Sequence, residues 1–331
     1  MIESIDVIAT TISGSISDWG KVKRIIPLFE SHGETNVTLH TVDSHAAARQ
    51  VAHDLVSGGK ELLISAGGSG TFNAVVEGSL DAARPDNRLR LAFLRKGSAD
   101  LIGKVLGMPD QIEPAIDMLV ESIRKDRVQP CDVIKISDQS GTVSRRFVGY
   151  GGAELFGEIP RITEKKFTKY FKGVFGQLFG DLGPFFIGTQ LTILSRLGRS
   201  LRGRKRKWDI SVDGSQVAEG YYQAMMILNG DLGPNLPLAC GVPLGSGSFC
   251  LFAFKDSGLL RLFSQLRSTW DGSILEAPEK YGMESFVVKD SLKLSPSGDA
   301  SFEINADGAT VVCKGFAEFR IADRIFLYSA E

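Results

Sequence analysis

Along the first 130 residues the apolar positions alternate between two rhythms. The run 5-IDVIAT-10 is short and continuous, as in a buried strand, whereas 17-SDWGKVKRIIPLFESHG-33 spaces its apolar residues as one face of a helix does. The same alternation continues through 38-TLHTVDS-44 (strand), 45-HAAARQVAHDLVSGG-59 (helix), 61-ELLISAGG-68 (strand), 71-TFNAVVEGSLD-81 (helix) and 89-LRLAFL-94 (strand), and ends on 99-ADLIGKVLG-107 or 109-PDQIEPAIDMLVESIRK-125 (helix). Strands separated by helices at this spacing predict a parallel sheet covered on both faces.

After Pro130 the pattern changes. Short strand-like runs follow one another, among them 131-CDVIKIS-137, 145-RRFVGYG-151, 207-KWDISVDGS-215, 222-YQAMMILNG-230, 248-SFCLFAFK-255, 284-ESFVVKDSLKLS-295, 301-SFEINADG-308 and 314-KGFAEFRI-321. Their Gly, Asn-Gly and Asp-Gly punctuation predicts a mainly antiparallel β region. The expected division is an α/β domain over residues 1–130 together with 317–331, and a β domain over 131–316 carrying a helical, basic insertion at about 158–205.

Composition narrows this picture only a little. A chain of 331 residues can build two cores, and 43% hydrophobic and 23% charged residues with a net charge of −1 describe an ordinary globular protein whose bulk charge names no partner. Cys131, Cys240, Cys250 and Cys313 form no CxxC pair, so free buried thiols in a reducing compartment are expected. The start MIESID has no basic stretch, which argues against a signal peptide and for the cytoplasm. The most apolar window, 178-LFGDLGPFFIGTQLTIL-194, is broken by Asp181 and Gly183-Pro184, so it suits a bilayer surface better than a crossing.

The candidate chemistry sits at 67-GGSGT-71, where a strand meets a helix. Glycines there let main-chain N–H groups approach an anion closely, as a phosphate cradle requires, and ligands of parallel α/β sheets lie at the carboxyl ends of strands. Neither GxxxxGK[ST] nor GxGxxG occurs. A nucleophile elbow on Ser69 is disfavoured: Thr71 stands where a second glycine is wanted, and His32, His40, His45 and His53 all precede Ser69, which rules out the order Ser, acid, His. A glycine-rich turn without a ligand is the third reading. His45 and His53, eight apart on an Ala-rich helix, suit packing or solvent rather than a metal.

At these residues the chain resembles the diacylglycerol kinase catalytic family, lipid kinases that include sphingosine and ceramide kinases and share a nucleotide domain with NAD kinase. The family's GGDGT followed by N-E-V-V stands here as 67-GGSGT-71 and Asn73-Ala74-Val75-Val76. Its N-P-x-S-G resembles 10-TTISG-14, its Thr after the second strand matches Thr41, and its P-L-G-T-x-N-D-F-A resembles 95-RKGSADLIG-103, running on to Gly107-Met108-Pro109. Its late D-G-E matches 307-DGA-309. The resemblance implies an α/β domain with a parallel sheet of the NAD kinase and diacylglycerol kinase kind plus a C-terminal antiparallel β-sandwich domain. It further implies ATP and Mg²⁺ as cofactors and transfer of phosphate to a hydroxyl of a diacylglycerol-like or sphingoid lipid in the cleft between the domains. The nucleotide residues it implies are Ser13, Gly14, Thr41, Gly67, Gly68, Ser69, Gly70, Thr71, Asn73, Lys96, Gly97 and Ser98. The segment 229-NGDLGPNLP-237 resembles the family's N-G segment near the lipid cleft; as an Asn-Gly turn it needs no function.

Several family acids are replaced. Ser69 stands for the Asp of GGDGT, Ala309 for the general-base Glu of D-G-E, 246-SGSF-249 for the D-G-x-L segment that helps hold magnesium, and Asp100-Leu101 for Asn-Asp. A hydroxyl or a methyl cannot do a carboxylate's work in holding a dication. Two readings stay open: a kinase with relocated acids, in which Asp100, Asp307 or Glu303 acts and Asp100 and Asp307 are the catalytic candidates, or a nucleotide- or lipid-binding protein without catalysis.

Residues 161–207 carry twelve Lys and Arg against Glu164 and Asp181. Phe167, Tyr170, Phe171, Val174, Phe175, Leu178 and Phe179 recur at helical spacing, which gives an amphipathic helix with lysines beside its apolar face. A core face with a solvated basic loop is one reading. The other is peripheral attachment to an anionic membrane through Lys165, Lys166, Lys169, Lys172, Arg204, Lys205, Arg206 and Lys207. No nucleic-acid module accompanies the charge, so no nucleic-acid partner is expected, and a homodimer is left open.

Overall fold

The computed structural model describes residues 4–10, 16–83, 89–95, 103, 106–109, 111–158, 206–231, 238, 240–270, 272–298 and 301–330. The chain divides into two compact units, residues 1–131 with 323–331, and residues 132–322.

The first unit is built in the order β1 (Ile5–Thr10), α1 (Ile16–Ser31), β2 (Val37–Val42), α2 (His45–Ser57), β3 (Leu62–Gly67), α3 (Ser69–Ala82), β4 (Arg90–Arg95) and α4 (Ile112–Arg124). β2-β1-β3-β4 pair in that order, all in parallel, and the end of the last strand, β15 (Ala317–Tyr328), lies parallel beside β4 with Phe326 opposite Arg90. β1 and β3 are buried at every position, as central strands covered on both faces must be, whereas the edge strand β2 is half exposed. One face packs Val7, Ala9, Ile64 and Leu94 against Val22, Ile25 and Phe29 of α1 and Ile116 and Leu119 of α4. On the other, α2 packs on α3, and Phe72 meets Phe93 edge-on with centroids 5.1 Å apart.

The helices α2 and α3 approach too closely for side chains at their crossing. A Cβ on Gly78 would lie 2.0 Å from the Arg49 carbonyl oxygen, so only glycine fits. Beside it Arg49 spans the crossing, pairing with buried Glu77 at 3.3 Å and with Asp81 at 2.6 Å.

The second unit is antiparallel. Its strands are β5 (Val128–Asp138, shared with the first unit), β6 (Ser144–Phe147), β7 (Tyr150–Glu154), β8 (Lys207–Val212), β9 (Ser215–Leu228), β10 (Phe249–Lys255), β11 (Met283–Val288), β12 (Ser291–Pro296), β13 (Phe302–Ala306), β14 (Ala309–Cys313) and the start of β15. The fourteen-residue β9 serves two sheets: its first half pairs with β8, and its fully buried second half pairs with β7 and β10. Trp208, Ile210, Leu292 and Phe319 of one sheet and Met225, Ile227, Phe249 and Ile304 of the other share a single core, the arrangement of a β-sandwich. Trp208 meets Phe302 edge-on, with centroids 5.1 Å apart.

Two findings depart from the sequence reading. A helix, α5 (Leu259–Trp270), follows β10 where no element was expected. The expectation of four free thiols is also corrected: the sulfurs of Cys240 and Cys250 are joined, whereas Cys131 and Cys313 are buried and outside any disulfide. Burial, with the Asp138 charge nearby, pushes the Cys313 thiol up to about 12. No described helix is long and apolar enough to cross a membrane, and the basic insertion lies outside the described residues apart from Glu158, Arg206 and Lys207.

Candidate functional site

In the order β2-β1-β3-β4 the chain leaves β1 first to one side and then to the other, so β1 and β3 flank a topological switch point. Thr10 ends β1, and Gly67 ends β3 at the same edge of the sheet, with Gly68 next. The buried hydroxyls of Thr10 and Thr71 meet at 2.7 Å across this point and tie the end of β1 to the first turn of α3. Thr71 in turn demands its glycine, since a Cβ on Gly67 would lie 2.5 Å from the Thr71 hydroxyl.

Gly70 lies against a different neighbour. A Cβ there would come within 2.8 Å of the His45 ring, at the head of α2. The heads of α2 and α3 are therefore adjacent, but they are finished differently. In α2, Ser44 accepts the Ala47 amide at 3.1 Å, whereas the N-cap of α3 is Gly68, which offers no side-chain cap. The first amides of a helix have no partner within it, and their dipoles favour an anion. Thr71 and Phe72 donate back to the Gly68 carbonyl, and Gly68, Ser69 and Gly70 are partly exposed.

Gly68 differs from its neighbours. Its φ is −97°, which any residue adopts, and nothing among the described residues lies within 4 Å of where its Cβ would stand. Neither backbone geometry nor the packing of the described residues calls for glycine here. Among those residues the space a side chain would fill is open, as close approach of a ligand to the backbone requires.

The other residues named from sequence fall into three groups. Thr41 lies exposed at the end of β2, in register with Ala9, and Asn73 is buried in the first turns of α3. Ser13, Gly14, Lys96, Gly97, Ser98 and Asp100 lie outside the described residues, as do Lys165, Lys166, Lys169, Lys172, Arg204 and Lys205. Of the basic candidates that are described, Lys207 pairs with Glu219 across β8 and β9, and Arg206 donates to the Ser301 carbonyl at 3.0 Å.

Asp307, in the second unit, has work that the sequence reading did not foresee. It is 6% exposed, sits at φ +47°, and its carboxylate accepts the backbone N–H groups of Val148, Gly149 and Tyr150 at 2.8, 3.0 and 2.9 Å. Asn229 holds the same turn from another side, donating to the carbonyls of Asp132 at 2.5 Å and Val148 at 2.8 Å. The Asp132 carboxylate accepts the Gly247 amide at 2.6 Å, next to Ser246. Asp307 and Asn229 are thus anchors of a turn. Glu303 is half-buried on β13. His45, set aside as packed or solvated, is the residue beside the cradle that sequence reasoning passed over; its one signal was its place directly after the second strand.

The magnesium implied by the resemblance does not fit the described residues around the cradle. Residues 67–71 bring no carboxylate, and the nearest acid along α3, Glu77, is buried against Arg49. Hard divalent cations need oxygen ligands carrying charge.

Residues 5–136 match the family model of the diacylglycerol kinase catalytic domain, a stretch that contains the whole cradle. The resemblance to that family is thereby established. No curated relative matches the sequence. Among solved structures, one described as a "putative diacylglycerol kinase" from Bacillus anthracis str. Sterne is 18% identical, with a TM-score of 0.70 over 99% of this chain and 95% of that one. A diacylglycerol kinase from the same organism is 16% identical, with a TM-score of 0.64 over 99% of this chain and 97% of its own. At such identities the likeness is one of fold, an α/β unit with a parallel sheet followed by an antiparallel β-sandwich.

Proposed function

We propose that the cradle at the head of α3 binds the phosphates of ATP and that the protein transfers the terminal phosphoryl group to a hydroxyl of a diacylglycerol-like or sphingoid lipid. The observation carrying this reading is Gly68, a glycine that neither its backbone nor the packing of the described residues requires, at a helix head without a side-chain cap on the switch point. The amides of Ser69 and Gly70 hold the phosphate oxygens, the Thr10–Thr71 pair fixes the turn, and His45 bounds the pocket on the α2 side. Phosphoryl transfer depends mostly on positioning and on stabilising charge, both of which such a cradle supplies.

In this reading Ser13, Gly14, Thr41, Asn73, Lys96, Gly97 and Ser98 complete the nucleotide site, and Asp100 accepts the proton of the lipid hydroxyl. Asp307 is not assigned a catalytic part, because its oxygens are engaged by three amides. The basic segment ending at Lys207 would bring the protein to an anionic membrane from the cytoplasmic side.

A second reading has a specific observation in its favour. Ser69, Ser246 and Ala309 stand where the family has acids, and the carboxylate of Asp307 anchors a turn, so the cradle would bind nucleotide or a phospholipid headgroup without transfer. Incubating the protein with labelled ATP, Mg²⁺ and a panel of lipids separates the two. Transfer lost in Asp100→Ala supports the kinase; thermal stabilisation by nucleotide without transfer supports the binder.

A further inference from the structure

A second cluster of chemistry lies in the sandwich unit, apart from the cradle. We infer that Asp231, Cys240 and Cys250, when the two sulfurs are reduced, hold one thiophilic divalent cation of the zinc class. A ligand atom from each of the three residues lies within 4.8 Å of the other two. Cys250 is buried on β10, and Asp231 and Cys240 are half-buried.

The carboxylate is positioned in advance. Asp231 accepts the Cys240 amide at 2.8 Å on one oxygen and the Gly241 amide at 3.1 Å on the other, and its own amide donates to the Val242 carbonyl at 2.8 Å. Each oxygen keeps a lone pair for a further partner. A disulfide needs no carboxylate beside it, and two thiolates next to a fixed carboxylate repel one another unless a cation lies between them. Two sulfurs and one oxygen select a soft or borderline cation over magnesium or calcium.

The Cα atoms of Cys240 and Cys250 are 6.6 Å apart. This falls at the wide end of the roughly 4.4–6.8 Å that a disulfide spans, so the pair can also open around an ion without moving its backbone far. Two chemical states follow. Reduced, the two thiols release two protons as they bind the cation, and water takes the fourth tetrahedral position. Oxidised, as in the structure, the pair has passed two electrons and two protons to a low-molecular-weight disulfide, which leaves as two thiols, and the site cannot take a cation.

Cobalt(II) is a suitable probe, because thiolate coordination gives it an intense charge-transfer absorption. The full chain, reduced and freed of reductant without air, is expected to develop that band up to one equivalent and to lose it when zinc is added. Cys240→Ser, half-buried and so tolerant of change, is expected to abolish the band, and Asp231→Asn to weaken binding about tenfold or more. The disulfide form is expected to show no band. Absence of the band in reduced protein whose circular dichroism is native, or an equal band in Cys240→Ser, overturns the proposal. None of these readouts involves nucleotide or lipid, so they stand or fall apart from the kinase reading.

Discussion

Asp307 and Asp213 perform the same task in two different turns. Each opens an Asp-Gly hairpin in which both residues have positive φ (47° and 85° for Asp307-Gly308, 50° and 80° for Asp213-Gly214), the geometry of a type I′ turn. Each carboxylate then accepts consecutive main-chain amides of a neighbouring turn, Val148 to Tyr150 for Asp307 and Lys289 to Ser291 for Asp213. Since Asp213 does this on the surface, remote in sequence from any family motif, the arrangement at Asp307 needs no catalytic explanation.

Asp307→Ala is therefore expected to lower stability by about 1–3 kcal/mol, the cost of stranding buried donors, with denaturant unfolding as the measurement. A variant that loses activity at unchanged stability would contradict the structural role.

The Asp213 turn also has a predictable acid response. Burial works against its charge, but the amides of Asp290, Ser291 and Lys289 prevail and hold the carboxyl below its ordinary value of 3.8. A depressed folded value means the contribution is complete above about pH 4 and is lost as the pH falls through the folded value. Asp213→Asn should flatten the acid limb of the stability curve, measured by unfolding from pH 2 to pH 5; an unaltered limb would oppose this.

Thr10 and Thr71 share a hydrogen bond, which a double-mutant cycle can test. Either single change to Val removes that bond and should cost about 1 kcal/mol, whereas the double change should cost less than the sum of the two, because the shared bond is lost only once. Additive losses would mean that the 2.7 Å contact is not a coupled pair.

Cys313 should be inert in the folded protein. With its thiol pushed up to about 12, mainly by burial, it stays protonated in the fold while the unfolded chain ionises near 9.0. Its contribution to stability is whole below that unfolded value and declines as the pH rises from there toward 12. Alkylation at pH 8 should spare Cys313 until the protein unfolds, as peptide mapping would reveal.

Much of the fold was legible in the sequence because burial leaves a periodic trace. Continuous runs such as 5-IDVIAT-10 become central strands, and the Ala-rich stretch from His45 becomes a helix. The helix at residues 259–270 was missed because its twelve residues mix Arg, Ser and Gln with a narrow apolar stripe among strand-like neighbours. The joined cysteines were missed because two sulfurs ten residues apart in sequence meet only through the path of the loop between them.

The candidate site was legible in part. 67-GGSGT-71 announced a strand-to-helix turn, but its glycines look alike in sequence. Only the fold distinguishes Gly67 and Gly70, which lie against Thr71 and His45, from Gly68, which meets none of the described residues. The turn held by Asp307 was not legible for a related reason, since a carboxylate that anchors a turn and one that moves a proton are written with the same letter.

The central claim is that Gly68 is kept small for a phosphate-bearing ligand, and calorimetric titration of ATP into wild type and Gly68→Val tests it most directly. The account predicts that Gly68→Val folds as stably as wild type and binds at least about tenfold more weakly, a difference of roughly 1.4 kcal/mol. Equal binding by the two proteins, or no binding by wild type, would contradict it.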